Sequence, residues 1–151
     1  MEVATSHFRF GSIPAPEGYR RSESFYPLSS RLFRRSRLRL PLKGVEHLEV
    51  MRCLARANPD VLHLQWFALP QADVRQRFRA PSVFTAHDLL PRRTASRHDL
   101  WQRLLAKFDR VVVHSERGRD ALGELGIEAR VIPHPVYPSA AQRNDDGRTL
   151  L

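Results

Sequence analysis

The sequence holds one cysteine, Cys53, and two lysines, Lys43 and Lys107. One cysteine allows no internal disulfide and no thiolate metal cluster, and it fits a reducing, cytoplasmic compartment. No apolar run approaches the ~20 residues that a membrane-crossing helix needs. The opening Met1-Glu2-Val3-Ala4-Thr5-Ser6-His7-Phe8 has no basic segment ahead of a long apolar one, so no secretory signal is expected. Glycine is sparse, and none is set in either usual phosphate-cradling loop. There is no Gly-x-Ser-x-Gly elbow, which weighs against Ser115 with His87 and Asp88 as a hydrolase triad. The seven histidines show no His-x-x-x-His or similar spacing, so a metal site is not expected; a tightly bound cofactor is not expected either.

What is present is an ordinary core and an excess of arginine. Hydrophobic residues make up 42% of 151, enough for one folded domain. The formal net charge is +9, which favours an anionic partner unless it reflects only an arginine-rich composition. Its densest stretch, residues 31–43, carries Arg31, Arg34, Arg35, Arg37, Arg39 and Lys43 among Leu32, Phe33, Leu38 and Leu40, with no acid. No nucleic-acid motif accompanies it, so nucleic acid is not expected as a partner. An anionic membrane surface fits better.

Along the chain, residues 3–8 read as a short strand and residues 9–41 as an irregular, Pro-, Ser- and Arg-rich segment. After Gly44, Val45, Leu48, Met51 and Ala55 recur at helical spacing, and Asn58-Pro59 stops the helix. Buried strands are predicted over 61–65, 82–86, 110–114 and 129–132. A short helix is predicted over 71–78. A clear one runs over 99–108, where Leu100, Leu104 and Phe108 form one row and Trp101 and Leu105 the next. A third, over 116–125, has Ser115 as its N-cap and Gly126 as its stop. Continuous apolar strands alternating with helices predict a doubly wound, Rossmann-like α/β domain with a parallel sheet covered on both faces.

Ligands of such sheets bind beyond the carboxyl ends of the strands. There the sequence places Ser6 and His7, Gln65 and Trp66, His87 and Asp88, then His114, Ser115 and Glu116, and finally His134. Hydrogen-bonding side chains beside an indole suit a polyhydroxylated ligand. Strand-end capping explains many such residues one at a time, Ser115 above all. The His87-Asp88 pair, opening a long loop after the apolar Val83-Phe84, is harder to explain that way.

Four stretches in order resemble the N-terminal domain of glycosyltransferase family 4. They are Asn58-Pro59-Asp60-Val61-Leu62-His63-Leu64-Gln65-Trp66, Pro81-Ser82-Val83-Phe84-Thr85-Ala86-His87-Asp88-Leu89-Leu90-Pro91, Phe108-Asp109-Arg110-Val111-Val112-Val113-His114-Ser115-Glu116, and Arg130-Val131-Ile132-Pro133-His134-Pro135-Val136. The resemblance implies half of a two-domain GT-B enzyme that moves a sugar, with retention, from a nucleotide sugar to an acceptor hydroxyl, the acceptor being a sugar or a lipid-linked one. It implies that His87 contacts the transferred sugar, with Asp88 beside it. Ser115 and Glu116 would border the cleft, and His7, Gln65 and Trp66 would shape the acceptor pocket. His134 and Pro135 would form the hinge toward the donor domain, where an Asn-Gly pair is common in the family. It also implies a first strand and Gly-rich loop ahead of residues 3–8 and a donor domain beyond the polar stretch 139–151. Residues 1–138 are therefore expected to be an incomplete acceptor-side domain, inactive alone and needing its donor half in cis or in trans. A peripheral position at the inner membrane surface is compatible with its charge. The rival reading is a non-catalytic basic α/β module on an anionic membrane or polymer, marked by salt-dependent binding that ignores sugars. A poorly folding remnant is a further rival.

Overall fold

The structure, a computed structural model, describes residues 1–6, 17–32, 39–87, 90 and 96–134. Its elements run β1 (Glu2–Ser6), β2 (Arg20–Phe25), α1 (Pro27–Leu32), α2 (Arg39–Arg56), β3 (Leu62–Leu64), α3 (Pro70–Asp73), β4 (Ser82–Thr85), α4 (His98–Leu105), β5 (Arg110–Val113), α5 (Glu116–Gly123) and β6 (Ala129–Val131). Four strands form one all-parallel sheet in the order β3-β4-β5-β6. A second, two-stranded sheet pairs β1 with β2, also parallel.

The Rossmann-like α/β class follows from burial. Val111, Val112 and Val113 are consecutive in β5 and all three are buried. Side chains alternate between faces along a strand, so three buried in a row require cover on both faces. Helix α4 supplies part of that cover through Leu100, Trp101, Leu104 and Leu105, the two rows its spacing predicts. Phe67, Phe84 and Phe108 meet at ring-centroid distances of 4.9 to 5.8 Å and join this core at the β3–β4 side.

The residues that bound α5 act as the sequence predicts. Ser115 Oγ accepts the Gly118 amide at 3.1 Å and caps α5. Gly126, at φ +71, lets the chain turn back, and the amide of Ile127 returns to the Leu122 carbonyl at 3.0 Å.

The segment read as irregular is where the structure departs from expectation. Within residues 9–41 lie β2, α1 and the first turn of α2. Strand β2 (Arg-Arg-Ser-Glu-Ser-Phe) has no apolar run to betray it and is largely exposed or half-buried. Helix α2 begins at Arg39, not beyond Gly44. Pro41 is tolerated there because an amide in the first turn has no partner within the helix. Gly44 sits in the helix at a cost of about 1 kcal/mol relative to Ala. Helix α3 is shorter than the predicted 71–78. Beyond it, Lys107 Nζ donates to the carbonyl of Gln76 at 2.7 Å, satisfying backbone that the helix leaves open.

A buried polar network ties the N-terminal elements to the core. The Glu46 carboxylate of α2 accepts the amides of Leu28 and Ser29 at the start of α1, at 2.6 and 3.1 Å. An acid there satisfies open amides and the positive helix end together. His47, also on α2, donates from Nε2 to Asp73 Oδ1 at 2.8 Å, and its Nδ1 shares a hydrogen bond with the Tyr26 hydroxyl at 3.1 Å. Asp73 Oδ2 takes the Leu69 amide. Burial, with the nearby Asp73 and Glu46 charges, pushes the Tyr26 phenol above its ordinary range. Tyr26 holds a left-handed backbone, φ 61, between this bond and the Lys43 ammonium 4.2 Å from its ring.

Candidate functional site

The register of the large sheet decides which strand-end residues meet. Thr85 pairs with Val112, and the Ala86 amide continues the ladder to the Val112 carbonyl at 2.8 Å. Continuing that pairing by two residues brings His87 level with His114. Val113 pairs with Val131, and the Ile132 amide reaches the Val113 carbonyl at 2.8 Å, so His134 follows two residues beyond His114's partner. Three imidazoles from the ends of three neighbouring strands thus share one edge. His114 and His134 stack with ring centroids 3.7 Å apart, and His87 lies 4.9 Å from His114 and 5.9 Å from His134. One ligand nitrogen from each ring falls within 4.8 Å of the other two.

Hydrogen bonds fix how the rings face. The Ile132 carbonyl accepts from His114 Nδ1 at 2.8 Å, because a carbonyl cannot donate. His114 Nε2 lies 3.1 Å from His87 Nδ1. The other nitrogen of His87, Nε2, lies 3.3 Å from the Gln65 amide oxygen at the end of β3. Gln65, His87, His114 and the Ile132 backbone therefore form one chain across the edge. Trp66, next to Gln65, is 60% exposed.

Among the residues expected at this site, the structure brings together Gln65, His87 and His134 and places Trp66 beside Gln65 in sequence at the end of β3. Ser115 and Glu116 stand at the same strand end, but the Ser115 oxygen is engaged in capping α5 and Glu116 pairs with Arg119 one turn on. His7, Asp88 and Pro135 lie outside the described residues, as do Arg34, Arg35 and Arg37. Arg31 falls in α1. Arg39 and Lys43 belong to α2, half-buried and helical rather than part of a loop. Two concavities of the described residues lie elsewhere, one around Met1 and Tyr19 and one between α3 and α4 around Arg75 and Arg103.

In the sequence His114 is marked only as one strand end among several, yet it is the middle member of the imidazole group and holds its orientation through Ile132. Ligand spacing along the chain concerns neighbours in sequence. These histidines are 27 and 20 residues apart and meet only through strand register.

Among the described residues no helix is long and apolar enough to cross a membrane. The family described as Glycosyltransferase Family 4 matches residues 3–140. No curated protein and no solved structure matches the chain.

Proposed function

The chain belongs to glycosyltransferase family 4, and from that membership we propose that its histidine-lined edge is the acceptor-side wall of a retaining, GT-B-type sugar-transfer cleft. The observation that carries the proposal is the convergence of His87, His114 and Gln65 at the carboxyl ends of three adjacent parallel strands. That edge is where open α/β sheets bind ligands. It offers polar groups in fixed orientation, and Trp66, 60% exposed and next to Gln65 in the chain, adds an indole, the mixture that sugar hydroxyls and sugar faces require.

In this reading the protein positions reactants and stabilises charge. His87 bonds a hydroxyl of the transferred hexose, and the bond strengthens as the sugar approaches an oxocarbenium-like transition state. His114 holds the His87 ring, and Ile132 holds His114. Gln65 and Trp66 line the acceptor side, and Asp88 flanks His87 in the sequence. The nucleotide of the donor is assigned to a second domain, in cis or in trans, reached through residues 132–136.

The chain by itself is accordingly expected to show no turnover with a panel of nucleotide sugars and sugar or lipid-linked acceptors, and to gain activity when joined to a family donor domain. Robust transfer by this chain alone would overturn the assignment of the donor to a second domain. A joined, well-folded pair that never transfers with any donor of the panel would count against the transferase reading.

A further inference from the structure

We propose that His87, His114 and His134 form a binding site for a divalent transition metal ion of the zinc class. The site shares His87 with the transferase reading but rests on its own observation, the geometry of these three rings.

The first support is distance. Each ring offers one nitrogen within 4.8 Å of the other two. His114 Nε2 and His87 Nδ1 are already 3.1 Å apart. Two nitrogens held at about 2.0–2.1 Å by one tetrahedral zinc stand about 3.4 Å apart. The pair needs only a few tenths of an ångström of adjustment, and His134, whose nitrogen lies within 4.8 Å of the others, joins them by turning its ring out of the stack on His114.

The second support is protonation. His114 Nδ1 donates to the Ile132 carbonyl, so His114 Nε2 keeps its lone pair. In the tautomer that donates from Nε2 to the Gln65 amide oxygen, His87 carries its lone pair on Nδ1. Across the 3.1 Å between His87 Nδ1 and His114 Nε2 one proton makes an ordinary hydrogen bond, and a metal ion can take that proton's place. A shared proton would serve two nitrogens, whereas a metal ion serves all three. The outer bonds are those that metal-bound histidines ordinarily make: the far ring N–H donates to a backbone carbonyl or another oxygen, fixing tautomer and orientation.

The third support is ligand chemistry. Among the described residues the clustered ligands are all imidazoles. That donor set suits zinc, cobalt, nickel or copper and suits magnesium or calcium poorly. His87 and His134 are exposed, so a fourth position faces solvent and is open to water or to an oxygen of a bound ligand.

The test uses the full chain stripped by a chelator, with no sugar present. Calorimetric titration with Zn²⁺ is expected to show one equivalent per chain. Co²⁺ is expected to give the visible absorption of a tetrahedral, nitrogen-bound ion, and Mg²⁺ to give no binding. His114→Ala and His134→Ala should each weaken Zn²⁺ binding at least about tenfold, since loss of a supporting partner alone weakens sites by about ten- to a hundredfold. Gln65→Leu, with all three ligands intact, should fall in that latter range. His63→Ala and His98→Ala, outside the cluster, should bind like wild type. Wild-type histidine resonances followed by NMR provide a readout independent of any variant's folding: those of three histidines should shift together with Zn²⁺. A wild-type chain that takes up no Zn²⁺ or Co²⁺ overturns the proposal. So does a variant with all three histidines replaced by Ala that binds as wild type does. Neither result touches the transferase reading.

Discussion

The two tryptophans offer a sharp contrast between a core role and a surface role. Trp101 is 1% exposed within the central cluster, while Trp66 is 60% exposed at the end of β3. A buried indole removes about 150–250 Å² from water. At about 25 cal/mol per Å² that is about 4–6 kcal/mol, of which alanine retains a share. Truncation of buried aromatic residues accordingly costs about 3–5 kcal/mol. For a chain of this size each kcal/mol shifts the midpoint by about 2–4 °C, so Trp101→Ala should lower Tm by about 6–20 °C. Trp66→Ala removes little packing and should change stability by no more than about 0.5 kcal/mol. Calorimetry or thermal circular dichroism on both variants measures the difference. Equal losses, or a larger loss for Trp66, would refute both the assignment of Trp101 to the core and the availability of Trp66 as a stacking surface.

Two further outcomes follow from local geometry. Gly126→Ala meets no steric block, the nearest side-chain atom being 3.5 Å from the added Cβ, but it forces a left-handed backbone and should cost about 1–2 kcal/mol in a denaturant titration; an unchanged midpoint would contradict the role of Gly126 as the α5 stop. The Asp109 carboxylate, which accepts the Ser82 amide at 2.7 Å, is held below the ordinary carboxylate range chiefly by that bond. Its folded pKa lies below its unfolded one, so its contribution is present above the unfolded value of about 4 and is lost as pH falls through the folded value. Asp109→Asn should flatten the acid limb of stability against pH, and an acid limb identical to wild type would show that the Ser82 bond carries no such linkage.

How much of this was legible depended on whether the signal ran along the chain or across it. The four-strand sheet was readable because each strand is a short apolar run and α4 spaces Leu100, Trp101, Leu104 and Leu105 at a helical period. Ser115 and Gly126 were readable because capping and left-handed turns select residue types directly. Strand β2 and helix α1 were not; β2 is polar up to its last residue, Phe25, and exposed or half-buried throughout, so neither periodicity nor composition marks it. The bonding of His47 to Asp73 was hidden because 26 residues separate them and only tertiary packing brings them together. The same applies to the imidazole edge. His87, His114 and His134 each read as a strand end, but their meeting depends on registers such as Thr85 with Val112 and Val113 with Val131, which no spacing rule contains.

The central claim is that the imidazole edge contacts the sugar being transferred, and His87→Ala tests it most directly. The measurement is turnover beside thermal melting, wild type against variant, in the chain joined to a donor domain as an active transferase. Because His87 is exposed at a strand end, its loss should leave the melting curve in place. Turnover should fall about 10²-fold or more, as when one preorganised polar group is removed from a transition-state site. Unchanged turnover with an unchanged melting curve would contradict the claim.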